Sequence, residues 1–238
     1  MISTFAVIAF AALIHASFQL SVSVFTLLSS HTLGAKAGHH KLMRLTGGFL
    51  SGVLVMTMLV ISFTAFLFQH VFNSSIPPLA WAISCGLLFG LGVAVWVFYY
   101  RRGQGTSLWL PRGLAHYLNN RSKATRHSAE AFSLGLSSVV GELLFIIAPV
   151  IVASLALITL EPYFQLIGVL LYTGISLLSL LTTFILVGSG HKISRIQKWR
   201  ENNKRFLQFT AGGGLLVLGF YIYVDQVIGT TVLAQGGM

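Results

Sequence analysis

Acidic residues are scarce in this chain: five Asp and Glu stand against fifteen Lys and Arg in 238 residues, and charge of either sign makes up only 8% of the whole. A water-soluble domain must clothe its outside in ionised and polar groups. A sequence that is 55% hydrophobic, with a mean hydropathy of +0.82, is excluded from that class. Cysteine is nearly absent as well. The single Cys85 rules out an intramolecular disulfide, a CxxC redox pair and a cysteine zinc site, so thiol chemistry would need a partner. Also missing are the GxSxG, HExxH and nucleotide-cradling glycine motifs, and the chain therefore reads as a non-enzyme with no cofactor. The first apolar stretch has no basic segment before it and no small-residue cleavage motif after it, so it reads as a retained helix and not a signal peptide.

Apolar sequence in long runs is what the chain does have. Six runs stand out, at about 5–29, 45–68, 79–100, 132–158, 164–187 and 206–224. At 1.5 Å of rise per residue each is long enough to cross a hydrocarbon slab of ~30 Å. The runs are continuous, not alternating with a period of two, which argues against a β-barrel. The expected fold class is all-α: a polytopic integral membrane protein with six transmembrane helices.

Where the cations fall sets the expected topology. All fifteen lie in three of the five connections: Lys36, Lys41 and Arg44 after the first run; Arg101, Arg102, Arg112, Arg121, Lys123 and Arg126 after the third; Lys192, Arg195, Lys198, Arg200, Lys204 and Arg205 after the fifth. The connections QHVFNSSIPP and LEPY carry none. By the positive-inside rule the basic connections are cytoplasmic and both termini are outside, in an integral cell (inner) membrane. The net charge of +10 then serves topology and contact with anionic lipids, and does not point to nucleic acid.

The two halves of the chain can be laid over each other. AFAALIHASFQLSVSVFTLL falls over AFSLGLSSVVGELLFIIAPVI, TGGFLSGVLVMTMLVISF over IGVLLYTGISLLSLLTTF, and GLLFGLGVAVWVFYY over GGGLLVLGFYIYV. Three helices per half is an odd number, so the second half enters the membrane upside down, as a 3+3 inverted repeat. The expected division is a first repeat over 1–100, a basic linker over 101–131 and a second repeat over 132–238. Within the linker, Leu114, Tyr117 and Leu118 recur at helical spacing beyond Pro111 and predict a short amphipathic helix; HKISRIQKWRENNKRF predicts another.

One acid, Glu142, lies inside the fourth run, and one proline, Pro149, follows seven residues later. A charge at the bilayer midplane costs roughly 2.5–3.5 kcal/mol on insertion scales, so Glu142 is expected to be protonated, paired or turned to a wet cavity. Pro149 removes a backbone donor and is expected to break the helix beside it. The first run is unusually polar: His15, Gln19, Ser23 and Thr26 lie at i, i+4, i+8 and i+11, one stripe on a continuous helix. With a shift of 123 residues Gln19 falls over Glu142. The pair reads either as a substrate or proton site, with His15 a second acid, base or ligand, or as an interhelical hydrogen bond that holds a bundle together. Gly86 and Gly90 form a GxxxG, which suits packing within one subunit or a homodimer face. The His39–His40 pair has no carboxylate beside it and is not expected to hold a metal.

At the level of pattern the chain resembles the superfamily of lysine exporters and the transmembrane proteins of cytochrome c biogenesis and thiol–disulfide interchange. The resemblance rests on two inverted triplets, a basic loop after the first helix and the final GGGLLVLGFYIYV, and covers most of the chain. It implies a small-solute or ion transporter. The cysteines of the thiol-shuttling branch are absent from the stretches His15 to Gln19 and Val139 to Glu142, which excludes disulfide transfer, and the nickel and cobalt branches' His/Asp motifs are not matched. The expected function is therefore a membrane transporter or exporter of a small solute or ion. Its site is expected between the first and fourth helices: Glu142, Gln19, His15, Ser23 and Thr26, with Pro149 as the break. Two alternatives stay open: a non-transporting membrane subunit or assembly scaffold, and a membrane redox protein with haem on His15 or His70.

Overall fold

A computed structural model of the chain describes residues 1–18, 20–34, 39–72, 75–98 and 112–229, and among these every regular element is helical. In chain order they are α1 (Ile2–Ser17), α2 (Leu20–Gly34), α3 (His39–Phe72), α4 (Pro78–Phe98), α5 (Arg112–Ala124), α6 (Ser128–Ile158), α7 (Pro162–Ser176), α8 (Leu178–Gly188), α9 (Ile193–Asn202) and α10 (Lys204–Ile222), the last running into a π-helical turn, Tyr223–Ile228. Four helices are long and apolar enough to cross a bilayer: α3 from His40, α4, α6, and α10 through Ile228. The bent pairs α1–α2 and α7–α8 raise the number to six if each pair is one span.

The helix that carries Glu142 is the axis of the molecule. In α6 72% of the most apolar stretch is buried, against 22–33% in the other three unbroken candidates, whose outer faces carry side chains such as Leu59, Phe63 and Phe66 that suit lipid. The start of α6 is fixed by a capping box: Glu130 accepts from the backbone N–H of Arg126 (2.7 Å) and His127 (3.2 Å). Its main partner is α3, and the two backbones meet through glycine. A Cβ on Gly52 would strike the carbonyl oxygen of Phe132, one on Gly135 that of Phe49, and one on Gly48 would lie 2.8 Å from that of Ser128. Small residues let helices approach this closely where lipid removes the usual hydrophobic drive.

A second close pair, α4 and α10, uses Gly92 against Gly212, with the Trp96 and Phe209 rings stacked at 5.6 Å. Gln208 donates from Nε2 to the carbonyls of Val95 (2.8 Å) and Trp96 (2.7 Å) in the last turn of α4. The GxxxG of Gly86 and Gly90 takes no part in this packing: both face outward with nothing within 4 Å of an added Cβ. Of the two readings of this motif, packing within the subunit does not hold, because α4 turns its Gly92 face to α10 and, among the described residues, leaves the Gly86 face unpartnered.

Both amphipathic helices form. α5 buries Leu118 and Ser122, and α9 buries Ile193 and Arg200, while Lys123, Arg195, Lys198 and Trp199 stay exposed. Arg200 reaches across to α2 and donates from Nη2 to Ser23 Oγ (2.7 Å).

Candidate functional site

The first apolar run is two helices, not one. α1 ends at Ser17, Phe18 is extended (φ −75, ψ 144), and α1 and α2 meet at 43°. Neither proline nor glycine stands at this point, so the cause lies in what neighbouring elements offer. In an unbroken helix Leu20 N–H would donate to the Ala16 carbonyl. Here Glu142 of α6 accepts from Leu20 N–H at Oε1 (3.2 Å), and Ser179 of α8 donates to the Ala16 carbonyl (2.6 Å). Two side chains from other helices thus replace one backbone hydrogen bond at both of its ends. Ser17 Oγ, bonded to the Ile14 carbonyl (2.6 Å), and Phe18, stacked on Phe145 at 5.8 Å, hold the turn.

The second discontinuity lies at Leu177, where α7 and α8 meet at 49°. Both breaks open onto one cavity. Its wall takes His15, Phe18 and Ser21 from the first break, Leu177 and Ser179 from the second, Thr57 from α3 and Glu142 from α6. It has room for about one water molecule. Irregular backbone at membrane depth is tolerated only where it is buried in protein or lines such a space.

Glu142 is buried near the middle of α6. Ser21 Oγ donates to its Oε2 (2.7 Å) and shares a hydrogen bond with Ser138 Oγ (3.3 Å). The carboxylate therefore sits at the N-terminus of α2, where free amides and the helix dipole favour negative charge. His15 is buried on the same wall, its Nδ1 in a hydrogen bond with the Tyr172 hydroxyl (3.1 Å).

Of the six residues expected at the site, the structure brings Glu142 and His15 to the cavity. Gln19 lies outside the described residues. Ser23 is turned toward Arg200, and Thr26 donates to the Ser23 carbonyl (2.9 Å); neither lines the cavity. The stripe fails for a physical reason, since i, i+4, i+8 spacing places residues on one face only if the helix is continuous, and this one stops at Ser17. Pro149 is buried but does not break α6, which runs through it from Ser128 to Ile158; the interruptions fall at Phe18 and Leu177 instead. Sequence reasoning missed Ser21, Thr57, Tyr172 and Ser179. Tyr172 carried a signal, a tyrosine in the interior of an apolar run rather than at its end; Thr57 carried none.

A second cavity lies at the far end of the α1–α6 seam. Ala156 on its wall is fourteen residues beyond Glu142, about 21 Å along α6. Trp81, Thr159, Tyr221 and Asp225 line it, Asp225 from the π-helical turn.

The haem alternative finds no facing pair: His15 is engaged with Tyr172 beside the Thr57 cavity, and His70 is exposed on α3 thirteen residues beyond Thr57, about 20 Å away along the helix. Among the described residues no three of His, Cys, Asp and Glu come together as metal ligands; His40 is exposed, and the side chain of His39 lies outside the described residues.

Fold and site together define the class: an all-helical membrane protein with four to six candidate spans and a buried carboxylate at the meeting of two interrupted helices. No family model matches the chain, and no curated protein or solved structure matches it either.

Proposed function

We propose that the chain is a membrane transporter of a small solute or ion, working through the cavity that holds Glu142. The observation that carries this reading is that both interrupted helices and the one carboxylate buried within α6 share a single small cavity. Interrupted helices supply fixed dipoles and side-chain-bonded backbone groups to a permeant at mid-depth, and their halves can tilt against the rest. The cavity at the other end of the seam, which carries Asp225, would serve in this reading as a second resting position.

The proposal includes six spans arranged as two inverted triplets, 1–100 and 132–238, joined by 101–131, with the basic connections cytoplasmic and both ends outside. The pattern of packing supports the repeat. Exchanging the triplets turns α1 against α7 into α6 against α3, and α4 against α6 into α10 against α1, while α4 against α10 and α1 against α6 map onto themselves; all of these contacts exist. The breaks do not follow the exchange, since α6 and α3 are continuous. The exporter-like sequence pattern agrees with this reading, and the exposed Lys and Arg of α5 and α9 suit anionic lipid.

The test is flux in proteoliposomes. Glu142→Gln keeps an oxygen acceptor for Leu20 and removes the charge, and we expect it to abolish coupled flux while the protein stays folded. Undiminished flux in this variant would overturn the assignment of the site.

The scaffold reading is favoured by one feature, the outward Gly86–Gly90 face of α4, which suits a second copy of this chain. Gly90→Leu is expected to turn a dimer into a monomer by light scattering in detergent; a wild-type protein that is already monomeric would remove this reading.

A further inference from the structure

We propose that Thr57 is a further ligand of the Glu142 site, and that the site's guest is one small monovalent cation held by oxygens, a bare sodium ion or a protonated water; as a statement about permeation it rests on the transport reading above. Helical threonines in this chain have a standard partner, the carbonyl one turn back. Thr46 and Thr64 on the same helix, and Thr173 and Thr183 elsewhere, all donate there at 2.8 Å. Thr57 does not. Its hydroxyl is buried, the residue 2% exposed, and Oγ1 has no hydrogen-bond partner in the protein. A buried hydroxyl without a partner is costly, and a turn about χ1 toward the Val53 carbonyl is the remedy its sister threonines use. Thr57 lines the cavity that holds Glu142, and a hydroxyl left without a protein partner on that wall points to something in the cavity for it to bind.

Three properties of the cavity fix the class of guest. Among the described residues the lining includes one carboxyl group, that of Glu142, and no Lys or Arg, so an ionised Glu142 meets no Lys or Arg there in a chain whose net charge is +10. The polar atoms that line it are mostly oxygens, from Glu142, Ser21, Thr57 and Ser179, the donor type that small hard cations take. The space admits about one water molecule, which excludes an amino acid or other organic solute from this position. The far cavity repeats the pattern with Asp225 and, among the described residues, again no Lys or Arg. The titratable groups nearest Glu142 are His15 on the wall and Tyr172 bonded to it; α2, α3 and α8 bring only hydroxyl and apolar side chains to the lining.

The test is thermal unfolding of the full chain in detergent, at matched ionic strength, in sodium, potassium or choline chloride and across pH, for wild type, Thr57→Ser and Thr57→Val. If the guest is a sodium ion, we expect the wild-type midpoint to rise saturably with sodium over choline. If the guest is a protonated water, we expect no difference among the salts but a rise on acidification. In either arm Thr57→Ser keeps the shift and Thr57→Val loses it. A wild-type midpoint indifferent to all three salts and to acid overturns the proposal, as does a shift that survives in Thr57→Val. A Thr57→Val midpoint above wild type in every buffer also overturns it, because that is the signature of an idle hydroxyl removed from an empty space. Flux that is lost in Glu142→Gln without any cation-dependent shift would keep the transport reading and overturn this one. A cation-dependent shift in a protein without flux would do the reverse.

Discussion

Gly52→Ala is expected to destabilise the protein by about 1–3 kcal/mol, and Gly52→Leu to prevent folding, because the added atoms have no side chain to push aside. The Cβ meets the carbonyl oxygen of Phe132, and beyond it the amide of Leu136 at 3.1 Å, so two backbones must part. Gly135→Ala is expected to act alike, against Phe49 and the Val53 amide at 3.0 Å. The control sits on the same helix: Gly47 has nothing within 4 Å, and Gly47→Ala should stabilise α3 by roughly 0.5–1 kcal/mol, the usual gain from replacing glycine in a helix interior. Opposite signs at two glycines five residues apart separate helix propensity from helix contact. Unfolding midpoints in mixed detergent and SDS read the difference, and a Gly52→Ala protein as stable as wild type would mean that α3 and α6 do not cross there. The same crossing sets the site. Thr57 follows Gly52 by five residues and Glu142 follows Gly135 by seven, so the close approach is what brings the two to one cavity wall.

The long apolar helices and the burial of Glu142 are legible in the sequence because each depends on composition alone. A run that is apolar on all sides becomes a helix that lipid and protein both accept, and an acid in its middle must turn inward. The amphipathic α5 and α9 are legible through spacing. The breaks are not. A sequence reader looks for proline or glycine, and Pro149 is the obvious candidate; yet a proline removes only one donor, which a well-packed helix such as α6 tolerates. Phe18 and Leu177 look like ordinary helical residues, and the first of these breaks exists because Glu142 and Ser179, more than a hundred residues away, take over the bonds of Leu20 and Ala16. Once the run is cut there, the stripe from His15 to Thr26 loses its meaning. Thr57 was invisible for a related reason: what sets it apart from Thr46 and Thr64 is the direction of a hydroxyl.

Glu142→Ala is expected to lower stability by about 1–3 kcal/mol, where Glu142→Gln leaves it near wild type. Alanine leaves Leu20 N–H, the first donor of α2, buried with no acceptor, and takes the carboxylate from Ser21 Oγ, which keeps only its longer bond to Ser138. The Ala16 carbonyl is still held by Ser179, so Leu20 cannot recover its helical partner without displacing that serine. Glutamine offers an oxygen to Leu20 and an amide to Ser21, whose hydroxyl can reverse its role and accept. Both variants lose the charge, so both should lose flux, but only alanine should shift the unfolding midpoint and raise amide exchange at the start of α2. Equal stability in the two variants would mean that the break at Phe18 is held by the packing of Phe18 on Phe145 and the Ser179 bond, with Glu142 an occupant of the gap rather than its cause.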